Sequence, residues 1–177
     1  IIQAVGGVEF YNHLARGDQI GNGANIAQAK DFSKNAESLS YIAGASLLIS
    51  SDFIKDVGLM TEHYFLYFEE LDWSLRAKKK GYRLSVALDS VVFHKEGASI
   101  GTSSKNTRSL LSEYYLSRNL IMCYRHLLPI FLPFALFRNI VNGIKLIKKG
   151  DFNRIKIIMM ATVDGLFGRG GKAKSIN

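Results

Sequence analysis

Apolar residues fall in short continuous runs over the first half of the chain and at helical spacing over the second. Ile1 to Val5 leads into Gly6-Gly7, the pattern of a strand running into a turn. The Gly- and Asn-rich residues from there to 37 predict a long loop. Tyr41 to Ile49 is an apolar run with small residues at its centre, which predicts a buried strand approached closely by another group. Ser51 as N-cap, Asp52 in the first turn and Gly58 as the stop predict a short helix. The aromatic segment Tyr64 to Phe68 leads into a helix over Glu69 to Lys80, ended by Gly81. Tyr82 to Ala87 and Ser90 to His94 predict two further strands, and the Gly/Ser/Thr-rich residues 95–106 predict a loop. From Thr107 the period is helical, with helices near 107–126, 130–149 and 151–166. Pro129 and Pro133 mark a break, Gly150-Asp151 a capped link, and the Gly/Lys-rich tail from Gly168 is expected to fray.

A content of 47% hydrophobic and 21% charged residues excludes a disordered chain and suits one domain of ordinary size. The first residue is Ile, and no basic, then apolar, leader follows it; the expectation is a piece of a longer protein. The single cysteine, Cys123, excludes an internal disulfide and has no zinc-ligand spacing around it, so it reads as a small buried residue.

Charge changes the picture more. Residues 1–100 carry 10 Lys/Arg against 12 Asp/Glu, whereas residues 101–177 carry 13 against 3, a net +10. The basic half is also the helical, apolar half. That combination points to an anionic membrane surface as partner and, with no nucleic-acid module signature present, away from nucleic acid. The uninterrupted apolar run Leu127 to Phe137 holds 11 residues, and a span needs about 20. The two prolines, then Arg138, Asn139 and Asn142, argue further for an interfacial helix pair over a span.

The candidate chemistry lies in Phe65-Leu66-Tyr67-Phe68-Glu69-Glu70-Leu71-Asp72-Trp73-Ser74-Leu75-Arg76. Helical spacing puts Glu69, Asp72 and Arg76 on one face and turns Glu70 elsewhere. The unpaired amides and dipole of a helix start stabilise such acids. Arg76 pairs with Asp72 one turn on, which leaves Glu70 to face a cleft and accept a proton from a substrate hydroxyl. Against this stands simple capping, for which acids in a first turn are routine.

The same residues resemble the family 2 glycosyltransferases of the rhamnosyltransferase and galactofuranosyltransferase type. The resemblance runs in order through Gly44-Ala45-Ser46-Leu47-Leu48-Ile49, Phe53 to Leu59, Phe65 to Arg76, Gly81-Tyr82-Arg83, Val91-Val92-Phe93-His94 and Tyr115-Leu116-Ser117-Arg118-Asn119. It covers roughly residues 38–126, and Asp164-Gly165-Leu166-Phe167-Gly168-Arg169 also resembles the end of such enzymes.

The resemblance implies an α/β fold. Residues 1–106 would be the acceptor-side half of a GT-A (Rossmann-like) catalytic domain with a mixed sheet; residues 107–177, from their charge and apolar spacing, are expected to be a C-terminal, membrane-associated set of amphipathic helices. It implies an inverting transfer from a nucleotide-sugar donor to a saccharide or lipid-linked acceptor in cell-surface polysaccharide assembly, at the cytoplasmic face of the membrane. Glu70 stands where the family's catalytic base stands, with Glu for the Asp that many relatives carry. Glu69 and Asp72 would bind or orient acceptor hydroxyls, or support the helix, and Gly44 and Ala45 would belong to the acceptor site. His94 would be one ligand of a divalent metal, Mn²⁺ or Mg²⁺, that neutralises the leaving diphosphate. The Tyr115-x-x-Arg118-Asn119 cluster resembles the Gln-x-x-Arg-Trp of processive relatives, which implies a donor-phosphate contact for Arg118; the alternative is a solvated helix arginine. Residues 95–105 would be a lid over the donor. The family's Asp-x-Asp metal motif is absent. The remaining metal ligands and the donor site are therefore expected in a missing N-terminal half, and this chain alone is expected to transfer no sugar. The alternative function is a non-catalytic, peripheral membrane-binding module whose acids are structural.

Overall fold

The computed structural model describes residues 1–33, 38–94 and 108–173. The expected lid at 95–105 and the last residues of the tail fall outside the described residues. The chain mixes helix with a small sheet and divides into two compact units. The first comprises Ile1–Tyr11, Arg16–Thr61 and Glu70–His94; the second comprises Asn12–Ala15, Glu62–Glu69 and Lys95–Asn177.

The sheet of the first unit is entirely antiparallel, in the order β2-β1-β3, where a mixed sheet was expected. Strand β1 (Gly7–Tyr11) lies between β2 (Arg16–Gln19) and β3 (Tyr41–Ile42), with Val8 opposite both Gln19 and Tyr41. Three departures from the sequence reading share one cause: a strand is defined by its main-chain partner, which hydropathy does not report.

First, Ile2 and Val5 bond singly to Ala24, Gly23 and Ile20, and the ladder begins only at Gly7. Second, β2 is mostly exposed and polar, so no alternation betrays it; Gly17 lets it lie against Val8 and Phe10, since a Cβ there would stand 2.5 Å from a Val8 methyl. Third, of the run Tyr41 to Ile49 only Tyr41–Ile42 is strand, and Leu48 is exposed. The chain turns at Ala43, whose carbonyl accepts from the Ser46 amide, and leaves the sheet.

Tyr82 to Leu88 shows the same divorce of burial from pairing. Residues 82, 84, 86 and 88 are half-buried and 83, 85 and 87 exposed, the period of a strand, yet no ladder bond forms among the described residues. Leu84, Val86 and Leu88 pack instead on the core of Ile2, Val5, Ile20 and Leu39. Val91, Val92 and Phe93 are exposed, so the second expected strand is also absent.

A 3₁₀ helix over Ile26–Phe32, capped by Asn25, lies where a loop was expected, and two α-helices follow in this unit. Helix α1 (Ser51–Val57) is capped by the Ser50 hydroxyl, which accepts from the Phe53 amide at 3.1 Å, one residue earlier than expected. Gly58, at φ +83°, ends it. Helix α2 (Glu69–Lys79) begins with the acid cluster and is followed by Gly81 at φ +85°. A second core forms around Val57, Trp73 and Ala77. The Trp73 indole donates to the Gly58 carbonyl at 2.8 Å, and Phe53 stands edge-on to both Trp73 and Tyr82 at 5.0 Å.

The second unit is built on α3 (Leu110–Leu127), α4 (Leu132–Ile147) and α5 (Phe152–Leu166). Ser109 caps α3 and Asp151 caps α5, each through a side-chain oxygen 3.1 Å from an amide three residues on. A 3₁₀ turn over Pro129–Phe131 separates α3 from α4. Helix α5 approaches α3 at Gly165, where a Cβ would lie 2.6 Å from the Arg118 carbonyl. Cys123 is buried in α3. The helical stretch Pro129–Ile147 has 19 residues and a mean hydropathy of 1.5, long and apolar enough to cross a membrane, and only 11% of it is buried.

Candidate functional site

Glu70 stands in the first turn of α2, and its side chain lines a cavity of about 200 Å³ in the first unit. The wall is mostly apolar: Ile42, Leu47, Ile49, Phe53, Met60 and Trp73. The polar side chains on it are Glu70, Ser50, Ser74 and Arg83. Glu70 is the one acid of this lining, and Ser74 follows it by one helical turn, on the same face.

Gly44 makes the room. A Cβ on it would lie 2.2 Å from Glu70 Oε1 and about 3 Å from two further atoms of that side chain. Any other residue would push the carboxylate away, so the small centre of the Tyr41 to Ile49 run has a definite use. Tyr41 senses the same carboxylate. Burial, and then the negative charge of Glu70, push its hydroxyl up to about 12, which keeps it a neutral donor.

Asp72 is a correction to the acceptor-binding set. It is buried, and Arg76 Nε donates to its Oδ1 at 2.6 Å. The rest of that guanidinium donates to the carbonyls of Val57, at 2.6 Å, and Leu59, at 3.0 Å, so the pair ties α2 to the end of α1. Asp72 is thus held in the framework, as its spacing from Arg76 predicts. Glu69 does not line the cavity; its Oε2 is buried with no hydrogen-bond partner among the described residues. Ala45 is exposed in the turn beside Gly44 and is likewise off the cavity wall.

Arg118 is the second correction. It is 1% exposed, and its guanidinium bonds within the second unit, to the Tyr64 carbonyl at 2.7 Å, the Gly171 carbonyl at 2.8 Å and Asn119 Oδ1 at 2.8 Å. It also lies over the rings of Tyr114 and Tyr115. A donor phosphate has no access to a group so enclosed, and a solvated surface arginine is equally ruled out. Asn119, fully buried, works with it: its Nδ2 donates to the carbonyls of Tyr64, Leu66 and Tyr67 at 3.0, 2.7 and 3.0 Å. Those carbonyls belong to an unusual segment. Phe65, Tyr67 and Phe68 all take positive φ (64°, 66° and 76°). Each costs about 1–3 kcal/mol and persists only where the surroundings hold it. The Arg118–Asn119 clamp is that hold.

His94 is exposed, and its Nδ1 is 2.9 Å from Gln3 Oε1. Among the described residues no group of three His, Cys, Asp or Glu side chains is placed to hold a metal ion. His94 is thus the one expected member of the divalent site that these residues supply, and the described residues do not complete that site.

Sequence reasoning did not single out Tyr41, Ser74 or Arg83. Ser74 was within reach, being one turn from Glu70; Arg83 joins the lining after the turn at Gly81, and Tyr41, in β3, feels the charge of Glu70 without lining the cavity. No protein-family model, curated protein or solved structure matches this chain.

Proposed function

We propose that the Glu70 cavity is the acceptor side of an inverting, nucleotide-sugar-dependent glycosyltransferase of GT-A type. One observation carries the reading. Of the acids at the head of α2, Asp72 is paired with Arg76, while Glu70 lines a concave, mostly apolar cavity and has its carboxylate against Gly44.

In this reading an acceptor hydroxyl binds in the cavity and gives its proton to the Glu70 carboxylate. The oxygen attacks the anomeric carbon of the donor from the face opposite the nucleotide. The bond to the nucleoside diphosphate breaks, and that group leaves with the electron pair. A positioned carboxylate contributes about 10²–10⁴-fold to such a step. At about 200 Å³ the cavity is smaller than the roughly 300–1,000 Å³ of a drug-sized site. It suits one terminal sugar of an acceptor and not a sugar nucleotide. The ordered set of resembling motifs supports the same assignment. In this reading donor binding belongs to other segments, since these residues carry no Asp-x-Asp.

The test is the stereochemistry of the product. The polypeptide carrying this chain together with donor-binding residues is given a nucleotide sugar and a saccharide acceptor, and the new linkage is read by NMR. Inversion of the anomeric configuration is expected; retention would exclude Glu70 as a base in a single displacement.

A further inference from the structure

Helix α4 is inverted with respect to a soluble amphipathic helix. Its inward face holds Ala135 and Asn139, both buried, and the Asn139 amide donates to the Ser117 carbonyl at 3.2 Å and to Thr162 Oγ1 at 2.8 Å. Its outward face carries Phe134, Phe137, Ile140, Ile144 and Ile147 at spacings of three and four, all exposed, and Ile130 of the preceding turn is exposed as well. Asn139 is 4% exposed while Phe137, two residues away, is 65% exposed. Helix α5 shares the exposed apolar face: Ile157, Ile158, Ala161 and Gly165 are buried, while Phe152, Met159 and Val163, with Phe167 just past its end, are exposed.

Polar residues that bond between helices, small residues at the close approaches and an apolar exterior are the arrangement of helices whose surroundings are lipid. In water the outward stripes would form an apolar patch of a kind monomers rarely expose.

We infer that the outward faces of α4 and α5 form a lipid-binding surface that seats the second unit on an anionic bilayer. Charge selects this occupant over a second copy of the chain. Lys145, Lys148 and Lys149 cluster at the C-terminal end of α4, and Lys156 stands on the outer face of α5, all exposed. Residues 101–177 carry a net +10. Two such faces brought together would set like charges against each other, whereas anionic headgroups neutralise them while the Phe, Ile and Met side chains enter the acyl boundary. The inference stands on the second unit alone and does not depend on Glu70.

The experiment is flotation of the full chain with vesicles of phosphatidylcholine, and of phosphatidylcholine with about one-third phosphatidylglycerol. The chain is expected to float with the anionic vesicles and to bind them about tenfold or more tightly than the neutral ones. Phe137→Ser with Ile144→Ser should weaken binding to both by about tenfold or more, with the far-UV circular dichroism unchanged. Lys148→Glu with Lys149→Glu, both at exposed positions, should remove the preference for anionic lipid while the chain stays folded. Failure of the wild-type chain to float with either vesicle overturns the inference. So does unchanged flotation of the Phe137/Ile144 variant, or a dimer that this variant dissociates while the wild type ignores lipid.

Discussion

The α-carbon of Gly44 faces the carboxylate of Glu70 so closely that a single methyl group on it would stand 2.2 Å from Oε1. The atom in the way is the far end of a flexible side chain. The substitution Gly44→Ala is therefore expected to move the carboxylate and leave the fold alone. Its stability should stay within about 1 kcal/mol of the wild type, while sugar transfer by the intact enzyme falls at least about tenfold through loss of base geometry. Chemical denaturation and steady-state kinetics on the same preparation check the split. A loss of stability with transfer unaffected would mean that the glycine serves the turn and not the acid.

Neighbouring acids of α2 should separate cleanly. Removing the charge of Asp72 leaves Arg76 without its carboxylate in a mostly buried setting. Asp72→Asn should therefore cost about 3 kcal/mol, read as a lower urea midpoint at unchanged slope. Glu70→Gln should leave that midpoint within about 0.5 kcal/mol.

Tyr41 offers a pH signature of the Glu70 charge. Burial first and Glu70 second raise its folded value to about 12 from the ordinary 10.0. The unfolded chain then releases this proton before the folded one does. The contribution to stability is complete below pH 10 and is lost as pH rises through about 12, by roughly 1–3 kcal/mol. Tyr41→Phe should remove this part of the alkaline loss. Glu70→Gln lowers the folded value, so the loss should be smaller and end at a lower pH. Denaturation between pH 9 and 12 tests both; identical alkaline curves for wild type and Tyr41→Phe would contradict the placement of this hydroxyl.

Arg118 and Asn119 are expected to govern stability and not donor affinity. Asn119→Leu leaves three carbonyls of a strained segment without their donor and should cost at least about 2 kcal/mol. Arg118→Lys loses the planar fork that reaches Tyr64, Gly171 and Asn119 together, and should lower the thermal midpoint by several degrees. The KM for nucleotide sugar should stay within about twofold in Arg118→Lys. A tenfold rise in that KM, with stability intact, would return Arg118 to the donor site.

What the sequence revealed and what it hid follow from the range of each interaction. The helices over 110–166 were legible because caps and apolar spacing act within a few residues: Pro129, Gly150 and Asp151 mark ends, while the Ser109 cap starts the first helix later than the expected 107. The different fates of Asp72 and Glu70 were legible for the same reason, since Arg76 lies one turn from the first and not the second. Strands were not. Burial alternates along Tyr82 to Leu88 as in a strand, but pairing depends on a neighbour that local pattern cannot specify. Arg118 was misread because a cation's burial is decided by distant carbonyls, 53 and 54 residues away, at Gly171 and Tyr64. Gly44 was singled out by resemblance, and its use became clear only when Glu70 was placed against it.

At the centre is a proton passed to one side chain. It is tested most directly by single-turnover transfer in the intact enzyme, with saturating nucleotide sugar and acceptor, comparing wild type with Glu70→Gln. A fall of about 10²–10⁴-fold in the rate, with donor affinity unchanged, is the expected result. A Glu70→Gln enzyme that turns over within about threefold of the wild type would show that this carboxylate takes no proton from the acceptor.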